Sequence, residues 1–285
     1  MPRSAEDYSS ELTQISKSVL VEAARVLGSY RNALVLIGGW APYFILESYG
    51  DPDVDFQHVG SIDIDLAVDP DVLDQTDYAT MARLLSDRGY TLSEKEPFRW
   101  FRTVDDPITG EPVTTEVDFL CPPPPRGQGW KRRYRELQRG LRAHTLPGCQ
   151  IAFRHFFPFA VSNVLPGGGL AEVEIKVAGV VSCLALKGLA LADRLRPKDA
   201  YDIYTVCGYH RGGPSAVASL LRPHLSDPTL SVGLQAIREK FRTLDTEGPF
   251  SVADFLARDD PARHDFHRRD AYETVAEVLR LLEML

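Results

Sequence analysis

The residues most able to do chemistry lie in the segment Ser61-Ile-Asp-Ile-Asp-Leu-Ala-Val68, where acidic and aliphatic residues alternate from Ile62 to Leu66. A strand sets residues i and i+2 on one face, so Asp63 and Asp65 stand together, roughly 7 Å apart along the backbone. Ile62, Ile64 and Leu66 then point the other way, into a core. Two carboxylates side by side repel and cost a sheet stability; a hard divalent cation offsets that cost. A third carboxylate is available in Val113–Leu120, where Thr114, Glu116 and Asp118 share one strand face and Thr115, Val117 and Phe119 the other. Asp118 is the candidate, with Glu116 as the alternative. Upstream, the apolar run Ala33–Ile37 breaks at Gly38-Gly39. A glycine pair entering a helix allows positive φ and turns backbone N–H groups toward phosphate oxygens. Three carboxylates and a glycine turn are the parts of a two-Mg²⁺ phosphoryl-transfer centre acting on a nucleoside triphosphate (NTP).

The elements that must position these residues follow from hydrophobic spacing. Residues 5–29 read as an amphipathic helix, with Leu12, Ile15, Val19, Ala23 and Val26 at three- and four-residue intervals. Ala33–Ile37 is a short buried strand, Trp40–Tyr49 a helix with Pro42 tolerated in its first turn, and Gly50–Gly60 a polar loop. Asp77–Arg88 is a predicted helix. Arg99–Val104 and Val113–Leu120 form a hairpin across the turn-rich Asp105–Gly110. Cys121-Pro-Pro-Pro-Pro125 ends the sheet in a stiff extended segment. Ala152–Pro166 shows no regular period, Gly167-Gly-Gly169 reads as a flexible joint, and Ala171–Val177 as a strand. Beyond it the pattern turns helical. Val181–Leu195 carries Lys187 and Arg194 nearly on one face. Pro197 opens a further helix with Asp199 and Asp202 three residues apart, and Pro214–Leu221, Val232–Thr243 and Tyr272–Met284 follow. The expected fold is α/β, a mixed sheet flanked by helices over residues 1–178, then a helical domain over 179–285 that contributes to the site.

Composition narrows the setting. The 285 residues are 44% hydrophobic and 25% charged with a net charge of −8, and no apolar run approaches the ~20 residues of a membrane span. Four scattered cysteines without a CxxC pair, and an N-terminus without an apolar signal core, give the expectation of a reduced, cytoplasmic protein with no membrane association. The acidic balance argues against a general nucleic-acid coat, and no DNA-binding motif is present. One segment runs the other way: Arg126–Arg142 holds seven basic residues and one acidic, interleaved with Trp130 and Tyr134. Aromatics among cations suit stacking plus phosphate contact, so this segment is the candidate RNA contact, although charge runs are more often solvated faces.

The order Gly38-Gly39, then Ser61-x-Asp63-x-Asp65-Leu66, then a later strand aspartate resembles the nucleotidyltransferase superfamily that includes DNA polymerase beta. Leu184-Ala-Leu-Lys187…Arg194…Lys198-Asp199-x-x-Asp202 resembles the signature of the AbiEii-like nucleotidyltransferase toxins of abortive-infection type IV systems. The resemblance spans roughly residues 33–210. It implies that Gly38, Gly39, Ser61, Lys187 and Arg194 bind the nucleotide and that Asp63, Asp65 and Asp118 hold Mg²⁺. It further implies that Asp63 and Asp65 are catalytic, with Asp199 or Asp202 activating the acceptor, and that RNA is the acceptor, with tRNA a candidate. An antitoxin partner follows from the same likeness. Two departures stand out: the gap from Gly39 to Asp63 is longer than usual, and His58 lies near where relatives carry an arginine. Rival readings are transfer to a small molecule or a protein side chain, and a non-catalytic nucleotide-binding protein.

Overall fold

The structure, a computed structural model, describes residues 4–73, 80–125, 133–194 and 196–284. Its strands are β1 (Leu34–Ile37), β2 (Ile64–Val68), β3 (Thr91–Leu92), β4 (Arg99–Asp105), β5 (Pro112–Cys121), β6 (Tyr134–Gln138), β7 (Leu141–Thr145), β8 (Phe156–Val164) and β9 (Leu170–Ala178). Its α-helices are α1 (Ser10–Val26), α2 (Trp40–Tyr49), α3 (Met81–Asp87), α4 (Val180–Asp193), α5 (Pro197–Tyr209), α6 (Gly213–Leu221), α7 (Pro228–Lys240), α8 (Glu247–Ala257) and α9 (Pro261–Leu281). The expected mixed α/β fold with a helical C-terminal region is what the chain adopts.

The chain divides into two compact units. The sheet unit comprises Ser10–Trp40 and Ser61–Ala178, and the helical unit Met1–Ser9, Ala41–Gly60 and Gly179–Leu285. The helical unit therefore takes in residues 41–60, which the sequence reading placed with the sheet.

In the sheet unit the strand order is β3-β4-β5-β2-β1-β9-β8, with the β6–β7 hairpin joined to β5 through β7. β1 runs antiparallel to β2 and parallel to β9, while β2 and β5 are parallel. Alternation along β5 buries Thr115, Val117 and Phe119 on one face. Helix α1 contributes Ile15, Val19, Leu20 and Ala23 to the core, and its buried Glu22 takes Arg102 of β4 at 2.8 Å and Arg88 at 3.2 Å. Two readings are corrected here. Ala152–Pro166 contains the nine-residue strand β8, and Gly167-Gly-Gly169 is the tight turn of the β8–β9 hairpin, closed by the Leu165 N–H donating to the Gly169 carbonyl at 2.9 Å. Phe156–Val164 escaped the period-2 test because an edge strand buries only half its face and tolerates Pro158.

The helical unit packs α4 against α7 and α5 against α8 and α9. α4 and α7 cross at backbone contact: a Cβ on Gly188 would lie 2.2 Å from the Gly233 carbonyl oxygen, and one on Gly233 2.5 Å from that of Ala185. Residues 50–60 lie along α5. Gly50 forms a backbone bridge with His210, Phe56 stacks on Tyr209 at 3.6 Å, and the Val59 N–H donates to the Tyr201 hydroxyl. Among the described residues, no helix is long and apolar enough to cross a membrane.

Candidate functional site

The aspartates of the sheet unit owe their placement to strand register. Asp65 sits on β2, but β2 begins at Ile64, so Asp63 occupies a bend one residue ahead of the strand rather than a strand position. The Ser61 hydroxyl donates to the Asp63 carbonyl at 3.2 Å, and Ser61 is itself buried. Its visible task is to fix that bend. Asp63 is exposed and Asp65 half-buried. Pairing aligns Ile37 with Asp65, Asp65 with Asp118 and Asp118 with Arg99, a single row across β1, β2, β5 and β4. Asp65 and Asp118 are thus direct neighbours on adjacent strands, ~4.8 Å apart in the pairing direction.

The glycine turn lies over this row. Gly38 has φ +68°, the left-handed region that glycine enters without a Cβ penalty. A Cβ there would come within 2.0 Å of Asp65 Oδ2, so the backbone after β1 is in contact with the carboxylate. Gly39 follows and leads into α2 at Trp40.

Arg99 was not singled out by the sequence reading, and it is central. Its Nε and Nη2 each donate at 2.8 Å to Asp118 Oδ1 and Oδ2, while Nη1 reaches Glu116 at 2.8 Å and Glu96 at 3.1 Å. Hydrogen bonding to Asp118 raises the guanidinium pKa above its ordinary value, against the cost of partial burial. Glu116 is pushed up by burial first and by the Asp63 charge second, which records how near these carboxylates are to one another. A signal for Arg99 did exist. In a hairpin, partners have a constant sum of residue numbers, and a loop centred on residues 108 and 109 sets Arg99 opposite Asp118.

The donor set of Asp63, Asp65 and Asp118 is all hard oxygen, the type that suits Mg²⁺, an ion that keeps several waters and needs few carboxylates. Asp65 and Asp118, adjacent in register, fit that requirement. Among the described residues no three histidine, cysteine, aspartate or glutamate side chains are arranged as a ligand set, which agrees with Asp118 being turned onto Arg99.

The helical unit holds the second acidic set, with a different character. Lys187 on α4 lies 2.8 Å from Asp199 Oδ1 and 2.6 Å from Asp202 Oδ2. Lys198 reaches Asp202 Oδ1 at 2.7 Å, and His58 Nε2 lies 3.0 Å from the same oxygen. Asp202 is wholly buried, Asp199 2% exposed and Lys187 7% exposed. Burial pushes Lys187 toward neutrality, but the two aspartates outweigh it and hold its pKa above the usual lysine value. Burial likewise pushes Asp202 up, and Lys187 and Lys198 overcome it and hold the carboxyl below its usual range. Lys198, with one carboxylate against it, is pulled down by burial. His58 accepts at Nδ1 from the Gly60 N–H at 3.0 Å, so its proton sits on Nε2 and points to Asp202. Burial, reinforced by Lys198, lowers its pKa to about 4, so the imidazole is neutral at pH 7. The long Gly39–Asp63 gap is thereby accounted for: it carries the segment that delivers His58 to Asp202. Arg194 lies just past the end of α4, not within it, and meets Asp199 Oδ2 at 3.3 Å with its side chain about half exposed.

The basic segment is only partly described: Trp130, Arg132 and the rest of 126–132 lie outside the described residues. Its remainder is the β6–β7 hairpin, with exposed Arg133, Arg139 and Arg142 and with Arg133 against the Tyr134 ring at 5.6 Å.

With both sets of residues in place, comparison with known families is decisive. The model of the family described as "Nucleotidyl transferase AbiEii toxin, Type IV TA system" matches residues 23–278. The chain belongs to the AbiEii family. The match covers both units, from α1 into α9, and so takes in the glycine turn, the carboxylate row and the buried lysine–aspartate set. Membership makes the chain a nucleotidyl transferase toxin by family, of the kind that works in a type IV toxin–antitoxin pair. No curated protein and no solved structure matches the chain.

Proposed function

We propose that this AbiEii-family protein transfers a nucleoside monophosphate from an NTP to a hydroxyl of an RNA acceptor, releasing pyrophosphate, with Mg²⁺ as the metal. The observation that carries this reading is the contact of the Gly38 backbone with the Asp65 carboxylate in register with Asp118. It joins a phosphate-binding turn and an oxygen ligand set at one place on the sheet. Asp63, Asp65 and Asp118 would hold Mg²⁺, which when bound polarises phosphoryl oxygens and lowers the pKa of an attacking hydroxyl. Gly38 and Gly39 offer backbone N–H groups to phosphate oxygens, and Ser61 holds the Asp63 bend. In the helical unit, Lys187 is assigned to the NTP phosphates, with Arg194 beside it on Asp199. Of the two acids there, Asp199 is the one assigned to the acceptor, because Asp202 has no exposed surface and is engaged by Lys187, Lys198 and His58. The arginines of the β6–β7 hairpin support RNA as acceptor, since exposed cations beside an aromatic ring contact phosphate and base together.

The test is incubation of the protein with Mg²⁺, each of four labelled NTPs and total RNA, resolved by gel. Label should enter RNA, and Asp65→Asn should reduce transfer by about 10²–10³-fold, the scale of losing one charge-stabilising group. Absence of transfer to RNA, or an Asp65→Asn variant as active as the parent, would reject the reading.

A further inference from the structure

We propose that Arg99 is the resident counter-ion of Asp118 and competes with a divalent cation for that carboxylate. The inference rests on the metal-binding reading above and adds to it a residue that sets how readily the third carboxylate is released.

Asp65, Asp118 and Arg99 form a row across neighbouring strands. Asp65 and Asp118 are directly paired in the parallel register, a repulsive arrangement in a sheet. Asp118 has its opposite neighbour, Arg99, on the other side. The guanidinium meets it fork to fork through Nε and Nη2, both at 2.8 Å, so both Asp118 oxygens are engaged by one planar cation. A carboxylate held in that way offers a metal ion only its remaining lone pairs, and a dication brought to its oxygens would face the guanidinium charge directly.

Arg99 also has somewhere to go. Its Nη1 already reaches Glu116 at 2.8 Å and Glu96 at 3.1 Å, so release of Asp118 leaves the guanidinium between two carboxylates rather than unpaired. Its side chain is 21% exposed, which leaves room for a change of partner at the edge of the row. Arginine keeps its charge at any working pH, so the exchange is one of position and not of protonation. Asp118 can therefore serve two cations in turn: Arg99 when no divalent ion is present, and the ion when it is.

The experiment measures Mn²⁺ binding to the full chain by titration calorimetry and by the loss of the free-ion paramagnetic signal, in the absence of nucleotide. Arg99→Gln should bind Mn²⁺ at least tenfold more tightly than the parent, and Arg99→Gln combined with Asp118→Asn should lose that gain. Equal or weaker binding by Arg99→Gln, or a gain that survives in the double variant, overturns the inference. Should Arg99→Gln fail to fold, Arg99→Lys decides. It keeps the charge but cannot make the fork, so it should tighten binding by a smaller factor, and unchanged or weaker binding counts against the inference. Asp63→Asn and Asp65→Asn separate this from the parent reading. If they leave Mn²⁺ affinity unchanged while Arg99→Gln raises it, those two aspartates are not the ligands and the Arg99 exchange stands. If they abolish binding and Arg99→Gln has no effect, the ligands stand and the exchange falls.

Discussion

In the sheet unit, Glu96, Glu116 and Asp118 converge on the single guanidinium of Arg99, with Asp65 directly beside Asp118 and Asp63 near enough to perturb Glu116. In the helical unit, Asp199 and Asp202 are matched by Lys187 and Lys198, with a neutral histidine completing the set, and the centre of the cluster is sealed from water. Closely spaced aspartates occur in both, two residues apart in the first set and three in the second, yet the first lies at a partly open surface and the second is enclosed with its lysines. Carboxylates at an open surface are accessible to a cation from solution. Paired, buried charge fixes side chains in one geometry at a large desolvation cost, and removing any member leaves its partner unpaired in a poor solvent.

The widest difference between the sets should appear in stability. Asp202→Ala strands Lys187 and Lys198 without their shared carboxylate and should cost about 3–5 kcal/mol in urea unfolding. Asp65→Ala, which relieves a repulsion with Asp118, should cost less than about 1 kcal/mol in metal-free buffer. Similar losses in the two variants would erase the distinction.

Acidification should strike the helical unit through His58. Its folded pKa of about 4 lies below the unfolded value near 6.5, so its contribution is complete above pH 6.5 and is lost as pH falls through 4. By linkage about 3 kcal/mol is at stake across that window. Urea midpoints between pH 7 and 4 should fall more steeply for the parent than for His58→Asn, and parallel slopes would remove His58 from the account.

A smaller effect is expected at the glycine turn. Gly38→Ala meets both a positive φ, worth about 1–2 kcal/mol, and the Asp65 carboxylate. The protein should remain folded, with a thermal midpoint only a few degrees lower, while label transfer falls in proportion to the displaced Asp65. Parental activity in a folded Gly38→Ala protein would detach the turn from the carboxylate.

Much of this was legible in the sequence because it is written in short periods. β1, α2, the β4–β5 hairpin and helices α4 and α5 fall where apolar spacing places them, since each buries a regular stripe. α8 was missed because Gly248-Pro249 looks like a breaker, whereas both lie in its first turn, where proline is allowed. The start of α9 was missed because its first ten residues are mostly polar and carry no stripe. At the site, the aspartates and Lys187 were visible as residue types. Their partners were not: Arg99 depends on a hairpin register, and His58 on a contact 144 residues away along the chain, which no local pattern encodes.

The Gly188–Gly233 crossing has a mechanical consequence. Where helices meet through side chains, a mutation can be absorbed by rotamer changes in the interface. Here two backbones touch, and nothing compressible lies between them. α4 is therefore indexed against α7 at the residue next to Lys187, and a single methyl group added at Gly233 would act as a spacer that shifts the lysine away from its aspartates. A position with no charge and no hydrogen-bonding side chain thus sets the tolerance to which the buried cluster is assembled.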